Sequence, residues 1–161
     1  MTRTWIAGTL VVLACLAGSP ALAVDAVERD ANVLNVHYGA IKWQKLTPEL
    51  GDRSSEIAIL HVDPVTRATQ LMMRVPKDSH VPMHWHTANE THTVVQGTFI
   101  VDCDGKRESL EQGSFNYMPA QMHHQAWTRP DEGTLLFITV DGAWDIHWVG
   151  DPKDVLGGRW R

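Results

Sequence analysis

From Glu56 onward the chain is interrupted at short intervals by Gly, Pro or Asp, and each stretch between interruptions is too short for a helix. Residues 57–62 end at Asp63-Pro64, 68–75 at Pro76-Lys77-Asp78, and 81–86 follow. Residues 92–96 turn at Gly97 into 98–102, and Asp104-Gly105 is a hairpin turn because glycine supplies the positive φ that such turns need. Gly113 opens a stretch to Met118, 124–127 make another, 134–140 another, and Asp141-Gly142 turns the chain toward 144–149. Residues 42–45 form a short edge strand ahead of Thr47-Pro48. Closely spaced β-stretches with turn residues between them predict an antiparallel all-β barrel or sandwich over residues 56–149. No amphipathic helical period competes with that reading.

The two ends read differently. Arg3 precedes an apolar run over residues 5–17, then Gly18-Ser19-Pro20 and the small-x-small triplet Ala21-Leu22-Ala23. That is the layout of a secretory signal peptide over 1–23, cleaved after Ala23. The run is shorter than the about 20 residues a membrane span needs, so the processed chain is expected in the periplasm or secreted, without a span. A lipidated alternative runs through Cys15 in Val12-Leu13-Ala14-Cys15. Residues 24–55 read as a leader or edge segment, and 150–161 as a loosely attached tail.

Removing Arg3 with the leader takes the formal charge from −5 to −6, which argues against nucleic acid or an anionic membrane as partner. Processing leaves Cys103 alone, so no internal disulfide is available, and its β-rich surroundings predict a packed thiol.

Of nine histidines, six lie between His80 and His124, which marks a site rather than a general composition. In a strand, side chains alternate faces, so His84 and His86 project from one side. Glu90 follows a short break and returns toward that side on the next strand. His124 (or its neighbour His123, which faces the other way) adds a third imidazole. Three nitrogen donors and one carboxylate suit one divalent transition metal (Fe, Mn, Ni, Cu or Zn) better than calcium or magnesium. Four such ligands leave positions open for a guest, the mark of a catalytic or ligand-binding site rather than a closed structural one.

His84, His86, Glu90 and Gly97 fit the spacing G-x5-H-x-H-x3-E-x6-G, with Asp78 at the first glycine. Gly113, Pro119 and His124 fit G-x5-P-x-G-x2-H-x3-N, with Gln121 and Thr128 at the second glycine and the asparagine. In both patterns the chain resembles the cupin superfamily, over roughly residues 75–140. The resemblance implies a double-stranded β-helix, or jelly roll, with His84, His86, Glu90 and His124 as metal ligands and a small-molecule substrate. It selects His124 over His123 by the spacing from Pro119. Cupins often bury an edge strand between two copies, so it also implies a homodimer as one option. Residues 133–148 are similar to small bacterial cupins related to metal-dependent β-diketone-cleaving dioxygenases.

Three functions follow. The leading one is an oxygenase of a small organic molecule chelated at the metal. The second is an isomerase or lyase with the metal as Lewis acid, for which Tyr117 or His92, beside Glu90, is the candidate proton-transfer group. The third is a periplasmic cupin that only binds a ligand or stores metal. His92 either orients Glu90 or is a solvated hairpin residue, His80 sits at the rim, and His61 and His147 are structural. Met72 or Met73, Met83, Phe99, Tyr117, Met118, Met122 and Trp127 are expected at the barrel mouth, with Gln70 as a polar contact.

Overall fold

The computed structural model describes residues 33–150, and Asn35 onward belongs to one compact unit. The signal segment 1–23, the first part of the 24–55 leader and tail residues 151–161 lie outside the described residues. Two 3-10 turns, Tyr38–Ala40 and Pro48–Arg53, accompany eleven strands among the described residues. In chain order these are β1 Gln44–Lys45, β2 Glu56–Val62, β3 Thr69–Val75, β4 His80–Trp85, β5 Glu90–Gln96 and β6 Phe99–Cys103. There follow β7 Lys106–Leu110, β8 Phe115–Met118, β9 His124–Trp127, β10 Thr134–Val140 and β11 His147–Trp148.

They form two wholly antiparallel sheets, ordered β1-β2-β3-β10-β5-β8 and β11-β4-β9-β6-β7. The expected all-β jelly roll is present as two facing sheets rather than a closed barrel. Strand β10 shows how the sequence writes this layer: Thr134, Leu136, Ile138 and Val140 are buried and the residues between them are not, the period-two signature of a strand with one face on the core. Leu71, Leu136 and Ile138, each at most 1% exposed, anchor the interior, where truncation of one such side chain costs about 2–5 kcal/mol. Two elements depart from the sequence reading. The polar strand β7 carries no apolar pattern because it is an exposed edge, and the stretch expected at 144–149 pairs only over β11.

A β-bulge sets the phase of the site. Val81 opposes Ala126, yet His84 opposes His124, so β4 spends one more residue than β9 around Pro82-Met83. Without that residue Met83 would face His124 and His84 would turn outward, because a one-residue slip moves side chains to the other face. The same shift leaves His80 on the outer face, stacked on Trp127 with ring centroids 4.8 Å apart.

The departures from the cupin spacing keep the backbone it encodes. Asp78 and Gln121, where the patterns have glycine, both take positive φ, 54° and 62°. Gly97 has no such latitude: besides its φ of +79°, a Cβ there would meet the Gly133 carbonyl oxygen at 2.1 Å. Thr128, at the asparagine position, is fully buried. Its hydroxyl donates to Pro76 O (2.6 Å) and accepts the Ser79 N–H (3.0 Å), fixing the loop that feeds β4. We predict that Thr128→Val lowers stability by about 1–3 kcal/mol, because two part-buried backbone groups lose their partner. Urea unfolding measures this; a change below about 0.5 kcal/mol, the scale of ordinary surface substitutions, would refute the assignment.

Candidate metal centre

Three imidazoles come from the five-stranded sheet and its margin, and a carboxylate faces them from the other sheet. His84 on β4 and His86 just beyond it are each 5% exposed, and His124 on β9 is 1% exposed. The ring centroids of His84 and His124 are 4.1 Å apart, those of His84 and His86 5.1 Å. One ligand atom from each of the three lies within 4.8 Å of the others, a span that two metal–nitrogen bonds of about 2.1 Å nearly bridge. Glu90, 2% exposed, projects inward from β5 beside Val140 of β10 and Met118 of β8.

Backbone carbonyls decide which nitrogen of each ring is free. His84 Nδ1–H donates to Pro82 O (2.6 Å) and His124 Nδ1–H to Met122 O (3.0 Å). His86 Nδ1–H donates to Asp145 O. A carbonyl can only accept, so each Nδ1 carries the proton and each neutral ring turns an Nε2 lone pair toward the interior. Ring orientation by a carbonyl behind the metal-facing nitrogen is the usual support of a histidine ligand.

Glu90 faces this trio from the opposite sheet, while the ligand atoms that lie within 4.8 Å of one another come from the three histidines. Its Oε1 accepts the Trp144 indole N–H at 3.2 Å. Its Oε2 lies 3.1 Å from Nε2 of both His86 and His92, but neither contact is aligned as a hydrogen bond and this oxygen has no partner. That buried oxygen therefore looks to these two rings, or to a cation shared with them, for its compensation. Three imidazoles and a carboxylate are a donor set that suits a transition ion. The cavity, partly open to solvent, measures about 20 Å³, room for about one water-sized guest.

Burial would raise the Glu90 pKa, but the His92 and His86 imidazoles outweigh it and hold the carboxyl well below its usual range. Burial likewise pulls His86 down, yet Glu90 and the Asp145 groups reverse this and raise it. His84 is pushed well below its usual value by burial and by the neighbouring His124. His124 is lowered to about 4, chiefly by burial.

Most positions expected from the sequence converge here. His84, His86, Glu90 and His124 line one cavity with His92, while His123 is exposed. His92 is buried rather than solvated, and its Nδ1 reaches Asn116 Oδ1 at 3.1 Å. Met73 and Phe99 line the cavity as expected. Tyr117 needs correction as a proton-transfer candidate: it is 53% exposed, on the outer face of β8, because Asn116 and Met118 take the inward positions. Trp127 and Gln70 also point away, Trp127 lying between His80 and the Arg107 guanidinium. Missed from the sequence were Trp144 and the Asp145 carbonyl, which sit in a segment without periodicity.

Residues 32–142 match the family described as the ChrR cupin-like domain, and the chain belongs to that family. Its fold is similar to that of an RmlC-like cupin from Ralstonia eutropha (20% identity, TM-score 0.62, 74% of each chain covered). It is similar too to the polyketide cyclase RemF from Streptomyces resistomycificus (18%, 0.62, covering 74% of this chain and 87% of that one). A third similar structure is the DMSP lyase DddQ from Ruegeria pomeroyi DSS-3 (17%, 0.55, covering 65% and 57%). No curated protein sequence matches the chain.

The buried imidazoles make a pH prediction for the metal-free protein. His124 takes up its proton near 6.5 when unfolded but only near 4 when folded. Its contribution is therefore complete above pH 6.5 and is lost as pH falls toward 4, by about 3 kcal/mol. His84 acts with the same sign, whereas the raised His86 adds stability below 6.5 that fades only at higher pH. Glu90 keeps its contribution until well below 4.5. Urea midpoints should fall steadily between pH 6.5 and 4; a flat profile would contradict the buried neutral imidazoles.

Proposed function

We propose that this chain is an exported, mononuclear metal-dependent cupin acting on a small organic molecule, with oxygenation of an enolisable, chelating substrate as its leading reaction. The buried Glu90 carboxylate, with Oε2 3.1 Å from Nε2 of His86 and His92 and beside three imidazoles whose Nδ1 atoms are fixed on carbonyls, carries the reading. Export rests on the layout of residues 1–23. Among the described residues no helix is long and apolar enough to cross a membrane.

In this reading His84, His86 and His124 hold the ion through Nε2 and Glu90 supplies the anionic donor. An ion of the Fe, Mn, Ni, Cu or Zn group would supply Lewis acidity and positions for substrate oxygens. The chain's own residues orient and exclude. The three carbonyls fix the rings, Trp144 holds one Glu90 oxygen, and Met73, Phe99 and Leu136 keep the remaining wall apolar. Among the described residues lining the cavity, the ionisable groups are the three histidines, Glu90 and His92. With Tyr117 outside, no uncommitted acid or base remains beyond His92, which favours metal-centred chemistry over side-chain proton transfer. The isomerase or lyase reading is the second choice and needs His92 or Glu90 as base.

The test has two parts. Protein isolated under gentle conditions should carry a transition metal, and His84→Ala or Glu90→Ala should each lower metal content at least about tenfold, as loss of a direct ligand is no milder than loss of a residue behind one. Wild-type metal content near zero would overturn the reading. Loaded in turn with each candidate metal, the protein should consume O2 with β-diketones or catechols; no uptake with any of them would shift the reading to the lyase or the non-enzymatic binding cupin.

A further inference from the structure

The cavity is walled mostly by strands, with Leu46 from an irregular segment and, on another side, a strap without regular structure. Residues 141–146 leave the end of β10 in one sheet and cross to β11 in the other. Trp144 and Ile146 of this strap line the cavity. With the strap in place the cavity is about 20 Å³, enough for about one water-sized guest and far below the volume of typical small-molecule sites. A substrate of several heavy atoms must therefore displace something, and a strand of either sheet would be the costlier element to move.

Three of the bonds that tie the strap down lie at the surface. Asn89 N–H and Nδ2 donate to the Asp141 carboxylate, and Thr87 N–H donates to Asp145 Oδ1 at 2.9 Å, all exposed. Asp145 Oδ2 lies 3.1 Å from His147 Nε2, and Thr69 Oγ1–H donates to Gly142 O at 3.1 Å. Segments held by exposed polar bonds open locally at low cost. Two further bonds run from the strap into the metal centre: the Trp144 N–H on Glu90 Oε1 and the Asp145 carbonyl on His86 Nδ1.

We infer that Trp144 is the size-selecting residue of this cavity: its indole admits guests larger than a water or diatomic molecule only when the strap lifts, and lifting releases the strap's hold on Glu90 and His86. Small ligands reach the centre past the closed strap; larger ones require it open. That such a guest is the substrate rests on the function proposed above.

The first test uses metal-free, full-length protein. On treatment with diethyl pyrocarbonate, read peptide by peptide in a mass spectrometer, the exposed His61 and His123 serve as internal references. His84, His86 and His124 should react at least about tenfold more slowly than these in the wild type. Trp144→Ala should raise the rates of the cavity histidines about tenfold or more and leave the references unchanged. Asp145→Ala, which frees the strap while keeping the indole, should accelerate them in the same direction and serves if the first variant fails to fold. Cavity histidines as reactive as His61 in the wild type, or unmoved in the folded variants, would overturn the inference.

The second test uses Co(II)-loaded protein and its visible spectrum. Relative to cyanide, a diatomic anion, imidazole should bind Trp144→Ala at least about tenfold more tightly than it binds wild type. Equal imidazole affinity would overturn the inference. If cobalt does not bind, the proposed function fails, and the reactivity experiment decides the role of Trp144 by itself.

Discussion

A buried carboxylate held against imidazole nitrogens is the constraint around which this molecule is arranged. Taking a carboxylate out of water costs several kcal/mol unless it is compensated, and Glu90 has only the Trp144 indole on one oxygen. Its other oxygen lies 3.1 Å from Nε2 of His86 and of His92, whose Nδ1 atoms bond the Asp145 carbonyl and Asn116 Oδ1. A core of apolar side chains would have been simpler to fold. The polar cluster makes sense as the cost of a place where a positive ion can be held by three nitrogens and an oxygen in a dry interior, where electrostatic attraction is strong.

Everything nearby serves that geometry. The bulge at Pro82-Met83 brings His84 opposite His124, and Thr128 fixes the loop that enters β4. Trp148 sits behind His84, with ring centroids 5.4 Å apart. Asp145 joins the outer surface to the centre, bonding Thr87 and His147 through its side chain and His86 through its carbonyl. The strap that closes the cavity is thus also part of the ligand support, so access and coordination are linked through the same few residues.

Much of this is written locally in the chain. Short β-rich runs gave away β10 and β3, and the turn residues marked their ends. The pair His84 and His86 with Glu90 four residues on was readable because strand geometry converts spacing into direction. What stayed hidden depends on distant partners. The bulge cannot be read from Pro82 alone, since it is defined by the residue opposite on β9. Tyr117 and Trp127 sit on strands beside the site, and only the parity of Met118 and Ala126 against the core sends them outward. Trp144 lies in a stretch with neither period, and its tie to Glu90 spans 54 residues. Asp78 and Gln121 break the glycine pattern in letters but not in backbone angle.

The central claim is that one ion occupies the space among His84, His86, Glu90 and His124. Crystals of natively purified protein, with diffraction collected on either side of the absorption edge of the metal it carries, test that most directly. The account predicts a single anomalous peak about 2.0–2.2 Å from Nε2 of the three histidines and from a Glu90 oxygen. A peak bound elsewhere, or an empty cavity in a crystal whose protein carries metal by elemental analysis, would contradict it.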